Sequence, residues 1–432
     1  MIMSQNKVLI IGNSAAALSA IRAIRKKNKS IRITLISRER CRAYSPVLIT
    51  YYLHDQIDEA SLFIVDSSFY RDSGVKCILG KEVTEVQPAK QEVDLNDGQR
   101  LSYDYLLIAS GASPKTLEHV SADAARGLCY LRTSEDARRI KEMSNRATEA
   151  TIIGGGLVSM QTASALSRKG IRLTFVIGAN QVLVRNVDEE CATLVKEHIQ
   201  ATCGANFLFG RAVRAIDFRK GRYHTLLDNG EEVAADLVFV GRGVEPNINL
   251  VANSGIHVNK GILIDDHGET NIAGIYAAGD VTESRNLVTG KIENIANWIN
   301  ACEQGRIAGA NISGARESYR GGVNENITQL FGLPIASIGM TKLEKTIAEP
   351  NVIEAKYVDP KRKVYRKALI SKNKLIGALL MGEIMDIGII RNLIVNGGNI
   401  SVLEEDFPRV PLRYTKRVLT DYSAFESEKN KC

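Results

Sequence analysis

The sequence predicts an α/β protein built from two strand–turn–helix units, with a small α+β domain following. Three observations carry that expectation. A glycine-punctuated apolar run opens the chain, a near-copy of it begins 142 positions later, and a strand–turn–strand–helix stretch lies toward the C-terminus. A length of 432 residues allows two to three domains with substantial cores.

The opening run, KVLIIGNSAAALSAIRAIRKKN, reads as a buried strand, a tight turn at Gly12 and a helix with apolar residues at helical spacing. Its small residues fall as Gly12-x-Ser14-x-x-Ala17. The first makes the turn, the second lets the backbone approach a pyrophosphate, and the third allows close helix–strand packing. The helix N-terminus adds amide donors and a dipole that favours an anion. The second run, ATIIGGGLVSMQTASALSRKGIRLTFVIG, repeats the pattern as Gly154-x-Gly156-x-x-Ser159. Two such fingerprints imply two nucleotides. Between and after them, LSYDYLLIASGASP ends a strand at Ala109-Ser110-Gly111, and GIYAAGDVTES ends one at Ala278-Gly279-Asp280. A carboxylate with adjacent amides at a strand end can hold a ribityl hydroxyl and a pyrophosphate. The stretch YRKALISKNKLIGALLMGEIMDIGIIRNLIVNG reads as two alternating strands, a turn and a helix.

The order of these four signals resembles that of the FAD-dependent pyridine nucleotide–disulfide oxidoreductase superfamily over about residues 7–315. The resemblance implies two Rossmann-like, glutathione-reductase-like domains. FAD would be held by a domain split between 1–115 and 246–320. NAD(P) would be held by the inserted 116–245, which FVGRGVEPN looks like closing, and an α+β domain with a tail would fill 321–432. The segments YSPVLITYYL, LRTSEDARRI, ENIANWINACEQGRIAGANISG and NITQLFGLPIASIG are most similar to one subgroup. It comprises NADH:rubredoxin reductases, the flavin portion of nitrite reductases and, closest in look, the NADH-coupling subunit of phenylglyoxylate dehydrogenase. By this resemblance FAD would contact Gly12, Ser14, Ala17, Glu39, Ser45, Pro46, Ala109, Ser110, Gly111, Gly279, Asp280, Asn297 and Trp298. NAD(H) or NADP(H) would contact Gly154, Gly156, Ser159 and Gly243. Electrons would pass, in either direction, between the nicotinamide nucleotide and a protein partner: an iron–sulfur protein, rubredoxin or a 2-oxoacid-oxidoreductase-type complex. The chain would then be a candidate subunit of a larger assembly.

Several residues depart from the superfamily pattern. A lysine–glutamate pair beside the flavin is replaced by Gln161 on one side, with no lysine between Ser30 and Val75 on the other. Joint loss is self-consistent, because a lone buried charge is costly. The reactive cysteine of disulfide- and persulfide-reducing relatives aligns with Val47, which can form neither a mixed disulfide nor a sulfenate. Cys41, Tyr44 and Gln161 remain weak catalytic candidates. Cys302 is placed near the flavin edge, and Cys432 ends the chain. Tyr44, Tyr51 and Tyr52 would either shield the flavin or pack. The acid expected at the end of each second strand is Ser37 in the first unit, with Glu39 two residues on, and Ile177 in the second, with no arginine before Arg185. NADH and NADPH therefore both stay open.

The net charge of +7 is concentrated, with ten Lys/Arg against four acids between Lys342 and Lys374. That stretch is either a solvated rim or a docking face for an acidic redox partner. Nucleic acid is not expected, since aromatic residues are not interleaved with the cations. The seven cysteines and six histidines show no metal-ligand spacing, so no metal is expected. The start runs directly into a strand rather than a secretory signal, and no apolar run is long enough to span a bilayer. A cytoplasmic, membrane-free protein is expected. Two alternatives stay open: a thiol- or peroxide-reducing enzyme using Cys41, and a non-catalytic FAD-binding subunit of a larger complex.

Overall fold

The computed structural model describes residues 6–343 and 352–398. The apolar runs read from the sequence form two parallel sheets. The first has the order Ile275–Ala277, Tyr105–Ile108, Lys7–Ile11, Arg32–Ser37, Val75–Leu79, with every pairing parallel. The second has the order Asn206–Phe209, Arg172–Ile177, Glu149–Ile153, Leu237–Val240, again all parallel. Central strands such as Lys7–Ile11 and Glu149–Ile153 are buried from their second or third residue onward. Coverage of both sheet faces demands such continuous rather than alternating apolar sequence.

Because Ile275–Ala277 returns to the first sheet after the second is complete, one unit is nested in the other, as the sequence predicts. The two connections run side by side, Ala112–Pro114 pairing antiparallel with Val244–Pro246. Each unit also carries a three-stranded antiparallel meander just before its last crossing to the central strand. These are Val83–Gln87, Glu92–Leu95 and Arg100–Ser102 in one, and Val213–Arg219, Arg222–Leu227 and Glu232–Ala235 in the other. The C-terminal unit is an antiparallel sheet of five strands, Glu325–Leu330, Leu333–Gly339, Lys374–Met381, Val364–Ser371 and Val352–Asp359, followed by the helix Ile387–Asn396.

The C-terminal sheet packs on the nested unit. Leu330, Leu333, Tyr365, Leu379 and Met381 share one apolar cluster with Met160, Phe175, Cys191 and Val195. Around that cluster Gln161 Nε2 donates to Thr328 Oγ1 at 2.7 Å, and Phe331 N donates to Ser164 Oγ at 3.1 Å. At its centre Asp188 caps the helix Glu189–Cys203 and accepts from Tyr365 Oη at 2.7 Å and Lys367 Nζ at 2.9 Å. Lys367 also pairs with Glu354 at 2.9 Å.

This packing takes several of the cations between residues 342 and 374 into contacts within the chain. Arg366 and Lys367 are buried, and Arg366 binds Asp386 at 2.9 Å. Lys356 pairs with Glu190 at 2.6 Å, Arg362 with Glu383, and Lys342 donates to the Val184 carbonyl. The physical reason is topological: Arg366 and Lys367 sit in the middle of an inner strand of the sheet, so their charges are met within the chain. Glu344, Lys345 and Glu349 lie outside the described residues, as do Cys432 and the rest of the C-terminal tail.

Burial alone would raise the Asp188 carboxyl, but the Tyr365 hydroxyl, the Lys367 ammonium and the Cys191 amide together hold it below the usual carboxylate range. A depressed folded-state value contributes stability above about pH 4, and that contribution is lost as pH falls through it. Asp188→Ala removes one partner of a buried pair and is expected to cost about 3–5 kcal/mol. Denaturant titration checks this, and the difference from the unsubstituted protein should shrink as the titration is repeated below about pH 4.

Candidate functional site

In the first sheet the chain leaves Lys7–Ile11 toward one side and later returns to its other side as Tyr105–Ile108. Ligand crevices in open α/β sheets form outside such a switch point. Here Gly12 turns with φ +114°, and a Cβ on it would lie 2.1 Å from the Ala109 carbonyl oxygen. Gly12 N donates to Ile36 O at 2.8 Å, and Ala109 N donates to Ile11 O at 2.8 Å. The second sheet repeats the arrangement. Gly154 turns with φ +110°, and its Cβ would lie 2.3 Å from the Gly241 carbonyl oxygen. Gly154 N donates to Val176 O at 2.9 Å, and Gly241 N to Ile153 O at 2.8 Å.

The helices Ala15–Lys27 and Leu157–Arg168 begin at these turns, each without a side-chain cap and without an acid in its first turn. By contrast, Thr133, Asp188 and Asn297 cap the helices Ser134–Ser144, Glu189–Cys203 and Trp298–Ile312. The first-turn amides of both fingerprint helices are thus left for an anion. The third fingerprint residues do the packing expected of them. Ala17 and Ser159 are fully buried, and Ser159 Oγ donates to Gly241 O at 3.2 Å.

A cleft of about 430 Å³ opens at the first switch point. It brings together Gly12, Ser14, Glu39, Tyr44, Pro46, Ala109, Ser110 and Gly111. Ser45 is buried beside them and donates its amide to Leu62 O at 2.9 Å. Gly279 is buried with its amide on Gln304 Oε1 at 2.7 Å, and Asp280 reaches the cleft wall through Arg132, whose Nη2 lies 2.8 Å from its carboxylate. The cleft therefore offers a glycine turn, free helix amides, and carboxylates at Glu39 and Asp280, a donor set that fits an FAD pyrophosphate and its ribityl and ribose hydroxyls.

Other candidates stand differently. Asn297 spends its side chain on the Asn300 amide at 2.9 Å and the Val323 carbonyl at 3.0 Å, and Trp298 packs half-buried against the first unit's core. Cys302 does not line this cleft; it lines a second cavity farther along its helix. Tyr44 is a tether: its hydroxyl donates to Glu39 Oε2 at 2.6 Å and accepts from Ser134 N at 3.2 Å. Burial first, and then the Glu39 carboxylate, push that phenol far above its ordinary range. Tyr52 is buried under the Lys141 ammonium, whereas Tyr51 is exposed. Cys41 is only partly exposed and does not line the cleft, and burial with the Glu39 charge pushes its thiol up.

Two cleft residues escape sequence reasoning. Arg132 is placed by the capping box in which the Thr133 side chain accepts from Asp136 N while Asp136 accepts from Thr133 N. The T-x-x-D spacing within LRTSED was the available signal. Asn247 crosses over from the returning connection, donating to Ser110 O at 2.8 Å and accepting from Ser113 Oγ at 2.7 Å.

At the second site Gly156 is exposed as the helix cap and Gly243 turns with φ +92°. Ile177 is buried against Gly155, so the strand end presents no carboxylate. Gln161 faces Thr328 rather than a lysine. Among the described residues no cluster of His, Cys, Asp and Glu could hold a metal ion, and no helix is long and apolar enough to cross a membrane.

Two glycine turns on two parallel sheets, one unit nested in the other, place the chain among oxidoreductases that work with flavin and a nicotinamide nucleotide. The chain belongs to the pyridine nucleotide-disulphide oxidoreductase family, whose model matches residues 6–305, and residues 326–397 match the rubredoxin NAD+ reductase C-terminal domain. Rubredoxin-NAD(+) reductase of Pseudomonas putida is 29% identical over 71% of this chain and 80% of its own. The NADH-dependent phenylglyoxylate dehydrogenase subunit epsilon of Aromatoleum evansii is 28% identical over 97% of this chain and 98% of its own. Among solved structures, a NAD-dependent persulfide reductase from A. fulgidus superposes with a TM-score of 0.83 at 27% identity, over 92% of this chain and 78% of that one.

The glycine geometry separates the two clefts experimentally. Gly12→Ala forces a methyl group onto the Ala109 carbonyl and is expected to yield protein without the flavin absorbance band. Gly154→Ala is expected to keep that band but lose its bleaching by NADH or NADPH, read by anaerobic spectrophotometry.

Proposed function

We propose that this chain moves electrons between NAD(P)H and a protein redox partner through FAD, without a redox-active cysteine. FAD is held by residues 1–115 and 246–320, and the nicotinamide nucleotide by 116–245. The observation that carries the reading is Val47, which stands 54% exposed in the loop position where thiol-using relatives have their cysteine. The bound flavin supplies the conversion between a two-electron donor and one-electron acceptors. The chain supplies the positioning. Its glycine turns seat the two pyrophosphates, the Tyr44–Glu39–Ser134 chain of hydrogen bonds fixes the loop that carries Val47, and Arg132 with Asp280 sets the charge at the cleft wall.

The partner is an iron–sulfur protein, a rubredoxin or a 2-oxoacid-oxidoreductase-type complex. Support comes from the C-terminal match and from the names of relatives, which include the assimilatory nitrate reductase electron transfer subunit of Bacillus subtilis, 26% identical over 89% of this chain and 48% of its own. An acidic partner draws no support from residues 342–374, whose described cations are largely paired within the chain. A second reading, reduction of a persulfide or disulfide, draws on the likeness to the A. fulgidus persulfide reductase and would have to use Cys41.

Anaerobic titration with NADH and with NADPH is the first test. Bleaching by at least one of them is expected, and a flavin that stays yellow with both would leave the non-catalytic FAD subunit as the reading. In turnover with a one-electron acceptor such as ferricyanide or rubredoxin, Cys41→Ser is expected to match the unsubstituted protein. Persulfide-dependent NADH oxidation that vanishes in Cys41→Ser would support the thiol route instead.

A further inference from the structure

The two parallel sheets share one backbone arrangement at the ends of their second strands, but the side chains there differ in charge. In the first unit Ser37 pairs with Leu79, Gly80 N donates to Glu39 O at 3.2 Å, and Lys81 N donates to Ser37 O at 3.1 Å. In the nested unit Ile177 pairs with Phe209, Gly210 N donates to Ala179 O at 3.2 Å, and Arg211 N donates to Ile177 O at 3.2 Å. The meanders that follow begin at Val83 and Val213, each with a register shift just after its first residue. Residue for residue, Ser37 corresponds to Ile177, Glu39 to Ala179, Lys81 to Arg211 and Glu82 to Ala212. Ser37, Glu39, Lys81 and Glu82 all line the first cleft, so the same backbone puts their counterparts at the mouth of the second. In a dinucleotide site this strand end is where the adenosine ribose lies.

The carboxylates of the first unit have no counterpart in the second. Glu39 and Glu82 give way to Ala179 and Ala212, and Ser37 to the buried Ile177. The cation is kept, but its partner is not. Lys81 pairs with Asp97 at 2.7 Å, whereas Arg211, half-buried, forms no ion pair or side-chain hydrogen bond among the described residues. A second arginine is held nearby. Leu183 N donates to Gly155 O at 2.8 Å, which ties the loop after the strand into the glycine turn, and Asn186 N donates back to Leu183 O at 2.8 Å. Val182, Leu183 and Val187 are buried as anchors of that turn, leaving Arg185 exposed and likewise unpaired among the described residues. Asp188, the acid of the same loop, is taken by Tyr365 and Lys367. Such a strand end offers no carboxylate to the ribose hydroxyls of NADH. To the 2′-phosphate of NADPH it offers guanidinium forks, with no acid there to repel it.

We propose, on the reading that the nested unit holds the nicotinamide nucleotide, that this unit selects NADPH over NADH. Arg211 holds the 2′-phosphate of the adenosine ribose, and Arg185 adds a second cation beside it. The flavin-loaded full chain, its first cleft filled, is titrated calorimetrically with ADP-ribose and with 2′-phospho-ADP-ribose, neither of which carries the reacting ring. The phosphorylated probe is expected to bind at least about tenfold more tightly, the scale of one charge-assisted hydrogen bond. Arg211→Ala should remove most of that preference. Ala179→Glu, which restores the carboxylate found at Glu39 in the first unit, should reverse it. The flavin absorbance band of both variants should match the unsubstituted protein, which separates a lost phosphate contact from a lost fold. Equal binding of the two probes, tighter binding of ADP-ribose, or a preference that both substitutions leave unmoved would overturn the proposal. The electron-transfer reading would survive those results as long as NADH bleaches the flavin. Failure of both probes to bind, with a flavin that stays yellow under both nucleotides, would overturn the two together.

Discussion

No side chain fits between Gly12 and the carbonyl oxygen of Ala109, and the architecture of the first cleft depends on that contact. The two strands can diverge only beyond it, so the crevice opens at their carboxyl ends. There the next helix begins with its amides unclaimed. The contact between Gly154 and Gly241 imposes the same geometry on the nested unit. Matching hydrogen bonds from Gly12 to Ile36 and from Gly154 to Val176 tie each turn to the neighbouring strand, so neither crevice can close by a shift of its loop. The repeat extends to the meanders and to the paired connections. One turn geometry has been used twice, and the second copy is held by the first through two antiparallel strands.

The C-terminal sheet gives Gln161 its partner. Gln161 keeps a hydrogen bond but carries no charge, and its partner is Thr328 on that sheet. A neutral amide there avoids the desolvation cost of a carboxylate whose lysine is gone. The ionic contacts that the nested unit makes with the sheet lie elsewhere, at Glu190, which pairs with Lys356, and at Asp188, where Tyr365, Lys367 and the Cys191 amide share one carboxylate. The Gln161 amide thus helps to hold the two units together.

What the sequence revealed and what it hid divide along a physical line. Glycine turns, buried strands and a capping box are local, set by a few adjacent residues, so Gly12, Gly154 and the strand ends at Ala109 and Gly279 could be read directly. The meanders could not, because strands such as Arg100–Ser102 and Glu232–Ala235 are short and largely polar. Asn247 enters the first cleft only because the returning connection brings it there, and linear spacing carries no trace of that crossing. Glu39 and Tyr44 were both legible as neighbours of the cleft, but not as partners of each other.

Charge makes the same point more sharply. The densest basic run in the sequence suggests a surface for an acidic partner, yet the fold turns two of its members inward and meets three more with Glu190, Glu383 and the Val184 carbonyl. The cations left unmet at a concave surface, Arg22, Lys26 and Arg320, come from segments almost 300 residues apart that look unremarkable in line. A run of like charge along a strand is spaced for pairing by its neighbours in the sheet. Like charges brought together from distant segments are met only if the fold also brings acids, and at this cavity its two carboxylates were already taken. Which cations go unmet in this chain therefore depends on which helices touch, and it is the absence of a Cβ at Gly305 and Gly309 that lets them touch so closely.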